Sequence, residues 1–332
     1  MARRSSARAV PQQIARRLRD CRQQMRSRGL SAYLVTGQAD QYYLTGFSGT
    51  DGAVLITQRA VYLITDGRFD KQADIEAAWA RKVVRHDALE SVLARLVRRL
   101  RLERIGIQAE HISLQQFRRL RRTVRPARLV ATSRVVEQLR VCKDRQEIEA
   151  IRRAVQIAEE AFKITCRSIR RGMTERQVAA RLDYEMQRLG AAGSSFATIV
   201  AEGPATALPH ARPADRRIAH GSVLLIDWGA RVGFYCSDLT RVIFVGRIPP
   251  RLGRAYQVVL DAQLRAIRAV GPQVPAAQVD AVARQAIERA GYRGRFAHGL
   301  GHGIGLEVHE QPQLSWRSQE RLRAGMVITI EP

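Results

Sequence analysis

A chain of 332 residues with 45% hydrophobic side chains is long enough for two cores and too apolar for a disordered one. No apolar run approaches the roughly 18 residues of a membrane helix, so a membrane partner is not expected. The formal charge of +25 raises the question of a nucleic-acid partner, but the cations are spread along the whole chain. All but Lys71, Lys82, Lys143 and Lys163 are arginines, and with 6% aromatic residues there is little to stack on bases. Arginine bias in composition accounts for the charge better than a binding stripe does.

Cys21, Cys142, Cys166 and Cys236 form no C-x-x-C pair, which argues against a thiolate zinc site or a dithiol redox motif and favours free thiols in a reducing compartment. The basic start, Met1–Arg8, is not followed by the apolar stretch of a secretory signal, and a cytoplasmic protein is expected.

In chain order, Ile14, Leu18, Cys21 and Met25 lie on one face of a 3.6-residue period, predicting a helix over 14–28 that Gly29 ends. Short β-type runs follow at 32–36, 53–57, 61–65 and 104–108, with an amphipathic helix over 89–100. The alternation predicts a small α/β domain, residues 1–138. The second domain, 139–332, reads as α+β. A long helix spans 143–169 with Ile148, Ile151, Val155, Phe162 and Ile169 as its apolar stripe, and Thr174 with Gln177 forms a capping box for the next helix. Strands are expected at 198–201, 223–228, 234–245 and 326–330, and helices near 252–270 and 276–290.

The chemistry concentrates in this second part. Asp227 follows the apolar run Val223–Ile226, where an ion is costly unless compensated. A hairpin pairing symmetrically about a turn near Val232-Gly233, with residue 231 facing 234, puts Asp227 opposite Asp238; two carboxylates so close call for a proton or a cation between them. Three of the seven histidines, His298, His302 and His309, fall within a segment where Gly299, Gly301, Gly303 and Gly305 alternate, so the segment is no helix interior. It fits neither G-x-G-x-x-G, since Ile304 stands where the last glycine belongs, nor H-E-x-x-H, since Gln313 replaces the second histidine. A final apolar run delivers Glu331, and His210 follows Pro209 in a loop-like stretch. His86, His111 and His220 have no such setting and are read as surface or core residues.

Taken in order, Leu208-Pro209-His210, Ile226-Asp227-Trp-Gly-Ala, Ser237-Asp238-Leu-Thr-Arg241, His298-Gly-Leu-Gly-His302-Gly-Ile-Gly-Leu-Glu-Val-His309-Glu and Gly325-Met-Val-Ile-Thr-Ile-Glu331-Pro332 resemble the Xaa-Pro peptidases, the aminopeptidase P and prolidase members of the pita-bread metallopeptidases. The likeness covers about residues 140–332. Upstream, Tyr43-Leu-Thr-Gly-Phe-Ser-Gly and Leu63-Ile-Thr-Asp-Gly-Arg68-Phe are similar to the family's creatinase-like N-terminal domain. The resemblance implies metal ligands at Asp227, Asp238, His302 and Glu331, and catalytic roles for His210, His298, His309 and Glu331. It implies two divalent metal ions (Mn²⁺, Co²⁺ or Zn²⁺) and a peptide substrate with proline at its second position, as a dipeptide or at a peptide's N-terminus. The family carries a further bridging glutamate on a strand beyond Pro332, so a C-terminally truncated sequence is expected. A homodimer is left open. The competing expectation is a non-catalytic pita-bread module whose basic surface contacts nucleic acid or acidic proteins.

Overall fold

The computed structural model describes residues 9–332, and the start Met1–Arg8 lies outside them. The chain divides into two units, Met1–Arg140 and Val141–Pro332.

The first unit runs α1 (Gln12–Ser27), β1 (Ala32–Val35), α2 (Gln38–Thr45), β2 (Gly52–Thr57), β3 (Val61–Asp66), α3 (Asp70–Glu76), β4 (Arg81–Arg85), α4 (Leu89–Leu100), β5 (Arg104–Gln108), α5 (Leu114–Thr123), β6 (Arg128–Thr132) and α6 (Glu137–Arg140). Its six strands form one sheet in the order β4-β3-β2-β1-β5-β6. β2 pairs antiparallel with β1 and β3, and the remaining neighbours are parallel. β1 is buried at all four positions, as a strand covered on both faces must be. The α4 stripe Val92, Leu93, Leu96 and Val97 packs into one core with Leu34, Leu55, Ile64, Ile105 and Ile107.

His111, read from the sequence as unremarkable, stands with Asp40 and Glu137 in a group whose ligand-type atoms lie within 4.8 Å of one another. Buried Asp40 already has its counter-charge there: Arg140 Nη1 lies 2.6 Å from Asp40 Oδ1, and Gln108 Nε2 donates to Oδ2. The group is an ion-pair network that closes the unit through α6.

The second unit runs α7 (Arg145–Ser168), α8 (Glu175–Arg188), β7 (Gly193–Ser194), β8 (Ile199–Glu202), β9 (Ser222–Trp228), β10 (Ala230–Val232), β11 (Tyr235–Cys236), β12 (Leu239–Val245), α9 (Pro250–Ala269), α10 (Ala276–Ile287), β13 (Gly301–Gly303) and β14 (Glu310–Leu314). It is built from two halves of like plan. In the first, α7 and α8 pack on Leu224, Ile226 and Trp228 of the sheet β12-β9-β8. In the second, α9 and α10 pack on Leu300, Leu314, Met326, Ile328 and Ile330 around the pair β13-β14. Capping boxes open α7 (Asp144 with Glu147) and α8 (Thr174 with Gln177).

Three sequence expectations need correction. The buried face of α7 keeps Ile151 of the expected stripe but is otherwise the smaller set Ala154, Ile157, Ala158 and Ala161, while Ile148, Val155, Phe162 and Ile169 are only partly buried. Small side chains let the helix approach its partners closely, and Phe162 packs at the edge of the same core, stacked on Trp228 at 4.4 Å between centroids. The strand expected over 234–245 is interrupted at Ser237-Asp238. The stretch 326–330 is not a regular strand. It lies beside 300–304 through backbone bonds Ile304 N–Val327 O, Thr329 N–His302 O and Glu331 N–Leu300 O.

Candidate metal centre

Two extended segments in the first half and two in the second deliver the carboxylates and imidazoles. In β9 the side chains of Leu224, Ile226 and Trp228 enter the core, so the intervening Asp227 points to the other face. Trp228 fixes that end of the strand, its indole N–H donating to Ala158 O at 3.0 Å. In 326–331 the same alternation repeats. Met326, Ile328 and Ile330 pack into the second core, which turns Thr329 and Glu331 the other way.

Asp227 does not face Asp238. Its registered partner is Thr240, and Trp228 faces Leu239. The hairpin turns one residue later than the sequence suggested, at Gly233-Phe234. Gly233 takes the left-handed conformation (φ 59°) and Val232 pairs with Tyr235, so every pairing shifts by two. A shift of two residues keeps the same face, so Asp238 remains a diagonal neighbour of Asp227. The Thr240 side chain, registered opposite, favours the charged form of the Asp227 carboxyl.

The alternating glycines of 299–305 have a packing reason. A Cβ on Gly301 would overlap the carbonyl of Thr329, and one on Gly303 would overlap that of Gln311. Only glycine lets β13 lie between its two neighbours this closely. His302, between these glycines, is 7% exposed. Its Nε2 lies 3.0 Å from Glu331 Oε1 and 3.5 Å from Asp238 Oδ2. Its Nδ1 is 3.0 Å from the Gly303 carbonyl, which can only accept, so Nδ1 carries a hydrogen and Nε2 is the nitrogen turned to the carboxylates. Thr329 Oγ1 donates to Glu331 Oε1 at 2.6 Å and accepts from the His302 N–H at 3.0 Å.

The electrostatics ask for a cation. Ligand-type atoms of Asp238, His302 and Glu331 all lie within 4.8 Å of one another. Asp227 Oδ1 is buried with no hydrogen-bond partner. Burial, then the neighbouring Asp238, pushes the Asp227 carboxyl up to about 7. Burial opposes charge on His302, but its bonds to Asp238 and Glu331 outweigh that and raise it to about 10. Burial likewise opposes charge on Glu331, and the bonds from His302 and Thr329 hold it below its ordinary value. The raised values of both groups mark a cluster of carboxylates that lacks compensating positive charge. Three hard carboxylates, one of them with an orphaned buried oxygen, and one imidazole nitrogen suit a divalent ion such as Mn²⁺.

The other expected residues are placed less uniformly. His309 lies against His302, ring centroids 4.4 Å apart. His298 is exposed, its Nδ1 2.8 Å from Gly299 O and its ring edge-on to Phe296. His210 is exposed on the loop after Gly203–Ala207 and stands outside the group around His302. Thr240 and Thr329 were not picked out from the sequence. Each stands two residues from an acidic residue, Asp238 and Glu331, the spacing that puts both side chains on one side of an extended segment.

The Metallopeptidase family M24 model matches residues 149–332, and the Creatinase/Prolidase N-terminal domain model matches residues 17–142. The chain belongs to metallopeptidase family M24. It is 34% identical over 304 residues to an uncharacterized peptidase of Bacillus subtilis, covering 92% of this chain and 86% of the relative. It is 33% identical over 310 residues to a Pyrococcus horikoshii protein named Xaa-Pro dipeptidase, at 93% and 86% coverage. Among solved structures, a Xaa-Pro dipeptidase from Bacillus anthracis matches with a TM-score of 0.92 at 34% identity, covering 96% of this chain and 89% of that one. The fold is therefore a creatinase-type N-terminal domain followed by an M24 pita-bread domain, and this M24 protein is a peptidase that works with divalent metal ions. Among the described residues, no helix is long and apolar enough to cross a membrane.

Proposed function

We propose that this M24 protein is a dinuclear-metal peptidase that hydrolyses the bond between a first residue and a following proline. The observation that carries the reading is the meeting of Asp238, His302 and Glu331 beside the orphaned, buried Oδ1 of Asp227. The names of the Pyrococcus horikoshii relative and of the structural neighbour support the Xaa-Pro bond as the target.

In this reading Asp227, Asp238, Glu331 and His302 Nε2 hold the metal. Divalent ions there would polarise the scissile carbonyl and acidify a water. Gly303 O fixes the His302 tautomer, and Thr240 and Thr329 orient carboxylates of the site. His309, against His302, donates a hydrogen bond to the oxygen on which negative charge develops, with His210 as a second donor brought in from its loop. Glu331 passes a proton to the leaving imino nitrogen. His298 contacts substrate from the exposed side.

The test is hydrolysis by the full-length protein of an Xaa-Pro dipeptide, a longer Xaa-Pro peptide and matched Xaa-Ala peptides. Proline-dependent turnover that is lost in chelator and regained with Mn²⁺ or Co²⁺ is expected. Metal-dependent cleavage indifferent to proline would overturn the substrate assignment, and activity surviving exhaustive chelation would overturn the metal.

A further inference from the structure

Lys143 is one of only four lysines in a chain where arginine carries nearly all the positive charge, and its side chain is 1% exposed. A buried ammonium is costly unless fully paired. Its partner is Glu310, 6% exposed, with Nζ 3.0 Å from Oε2, and Val141 O accepts a further bond at 3.3 Å. Glu310 in turn accepts from the Glu307 N–H at 3.1 Å through its other oxygen.

The pair sits at a junction of site segments. Glu310 directly follows His309 and is registered opposite Gly303, the residue after His302. A Cβ on Gly305 would come 2.7 Å from the Glu310 carboxylate, so the turn 303–310 is folded closely around it. The Lys143 backbone N–H donates at 2.8 Å to Gly325 O, at the start of the segment that ends in Glu331. The next residue, Asp144, caps α7. Glu147 of that cap accepts from Tyr235 OH at 2.9 Å, and the neighbouring Cys236 N–H donates to Gly305 O at 2.8 Å. Lys143 thus ties the start of α7 to the histidine loop by its side chain and to the Glu331 segment by its main chain.

We propose that Lys143 is a positioning residue of the metal centre. Through Glu310 and Gly325 it fixes His309 and Glu331 relative to His302, without touching metal or substrate itself. The proposal rests on the metal-site reading above but not on the choice of peptide bond. A supporting residue of this kind, when removed, costs about 10–100-fold in metal affinity or activity.

The experiment is a double-mutant cycle of Lys143→Met and Glu310→Gln in the full-length protein. It reads Co²⁺ affinity and the Co²⁺ d–d absorption spectrum, thermal unfolding, and kcat and KM on an Xaa-Pro peptide. Expected for each single variant is a cooperative fold, Co²⁺ affinity or kcat reduced about 10-fold or more, an altered Co²⁺ spectrum, and KM within about twofold of the parent. The double variant should lose little beyond the single ones, because the two residues act as one unit. Should Lys143→Met fail to fold, Glu310→Gln, which keeps the volume, decides alone. Folded variants with the parental Co²⁺ spectrum, affinity and kcat overturn the proposal, even if the melting temperature falls, and so do additive losses in the cycle. A parent that binds Co²⁺ but leaves Xaa-Pro peptides intact would sink the substrate assignment, and the Co²⁺ readouts would still judge Lys143.

Discussion

Glu331 Oε1 receives both the Thr329 hydroxyl, at 2.6 Å, and His302 Nε2, at 3.0 Å. One carboxylate oxygen with two donors aimed at it is held in place before any metal arrives. A metal at the proposed site would replace the His302 proton and leave the Thr329 bond to orient the carboxylate.

Thr329→Val should therefore weaken Mn²⁺ binding by about 10-fold while the fold persists, since valine matches threonine in shape and keeps the strand preference. Equilibrium titration of the metal against the variant decides it. An unchanged dissociation constant means Glu331 is oriented by the backbone alone.

Metal loading should expel protons. At about pH 7, His302, raised to about 10, is charged in the metal-free protein, and Asp227, raised to about 7, is roughly half protonated. Binding should release between about one and two protons per chain, falling toward about one near pH 9 as Asp227 empties. Calorimetry in buffers of different ionisation enthalpy measures the number, and binding with no proton release near neutrality contradicts the site's charge arrangement.

The same two groups set how the metal-free protein responds to pH. Both have folded-state values above their ordinary ones: about 7 against 3.8 for Asp227, and about 10 against 6.5 for His302. The folded form binds more protons than the unfolded form across this range, so these groups lower stability as pH rises, Asp227 through about 7 and His302 through about 10. Chelated protein should melt at progressively lower temperature from mildly acidic to alkaline buffer. His302→Gln should remove the alkaline part of that decline, and an identical slope in the variant argues against the assignment.

His309→Ala should retain metal and lose about 10²–10³ in kcat, the usual effect of deleting one donor to developing charge. Metal analysis of the purified variant separates the roles. Metal lost to the same extent as in His302→Ala would make His309 a ligand.

Gly301→Ala tests the close approach of β13 to the 326–331 segment. Its new Cβ would overlap the Thr329 carbonyl, so backbone must move, at about 1–3 kcal/mol or more. Both the melting temperature and metal content should fall. A variant with parental values in both would mean the segment yields freely.

What could be read from the sequence was whatever local pattern decides. The α4 helix over Leu89–Leu100 and the Thr174–Gln177 capping box are local, and both appear in the structure as written. A carboxylate ending an apolar run and three histidines among glycines drew attention to these segments, but the proposed ligand set was implied only by the family resemblance. Register was not legible. Asp227 facing Thr240 depends on which residue of the turn takes positive φ, and both Gly233 and its neighbours allowed a turn. Nor was the ion pair of Lys143 with Glu310 legible, because 167 positions separate the two residues. The role of α7's alanines was hidden for a similar reason: close packing depends on the partner surface, not on the helix.

The four proposed ligands come from both halves of the second unit, Asp227 and Asp238 from one, His302 and Glu331 from the other. Bound ions would then act as a clasp between two half-domains. Occupancy at 100 times the dissociation constant would add about 2.7 kcal/mol to the fold, through ligands drawn from both halves at once. Neither half could drift in sequence without the other registering the change at the shared metal. Amide exchange should be slowed by metal in β9 and β13 together, even though each belongs to a separate core.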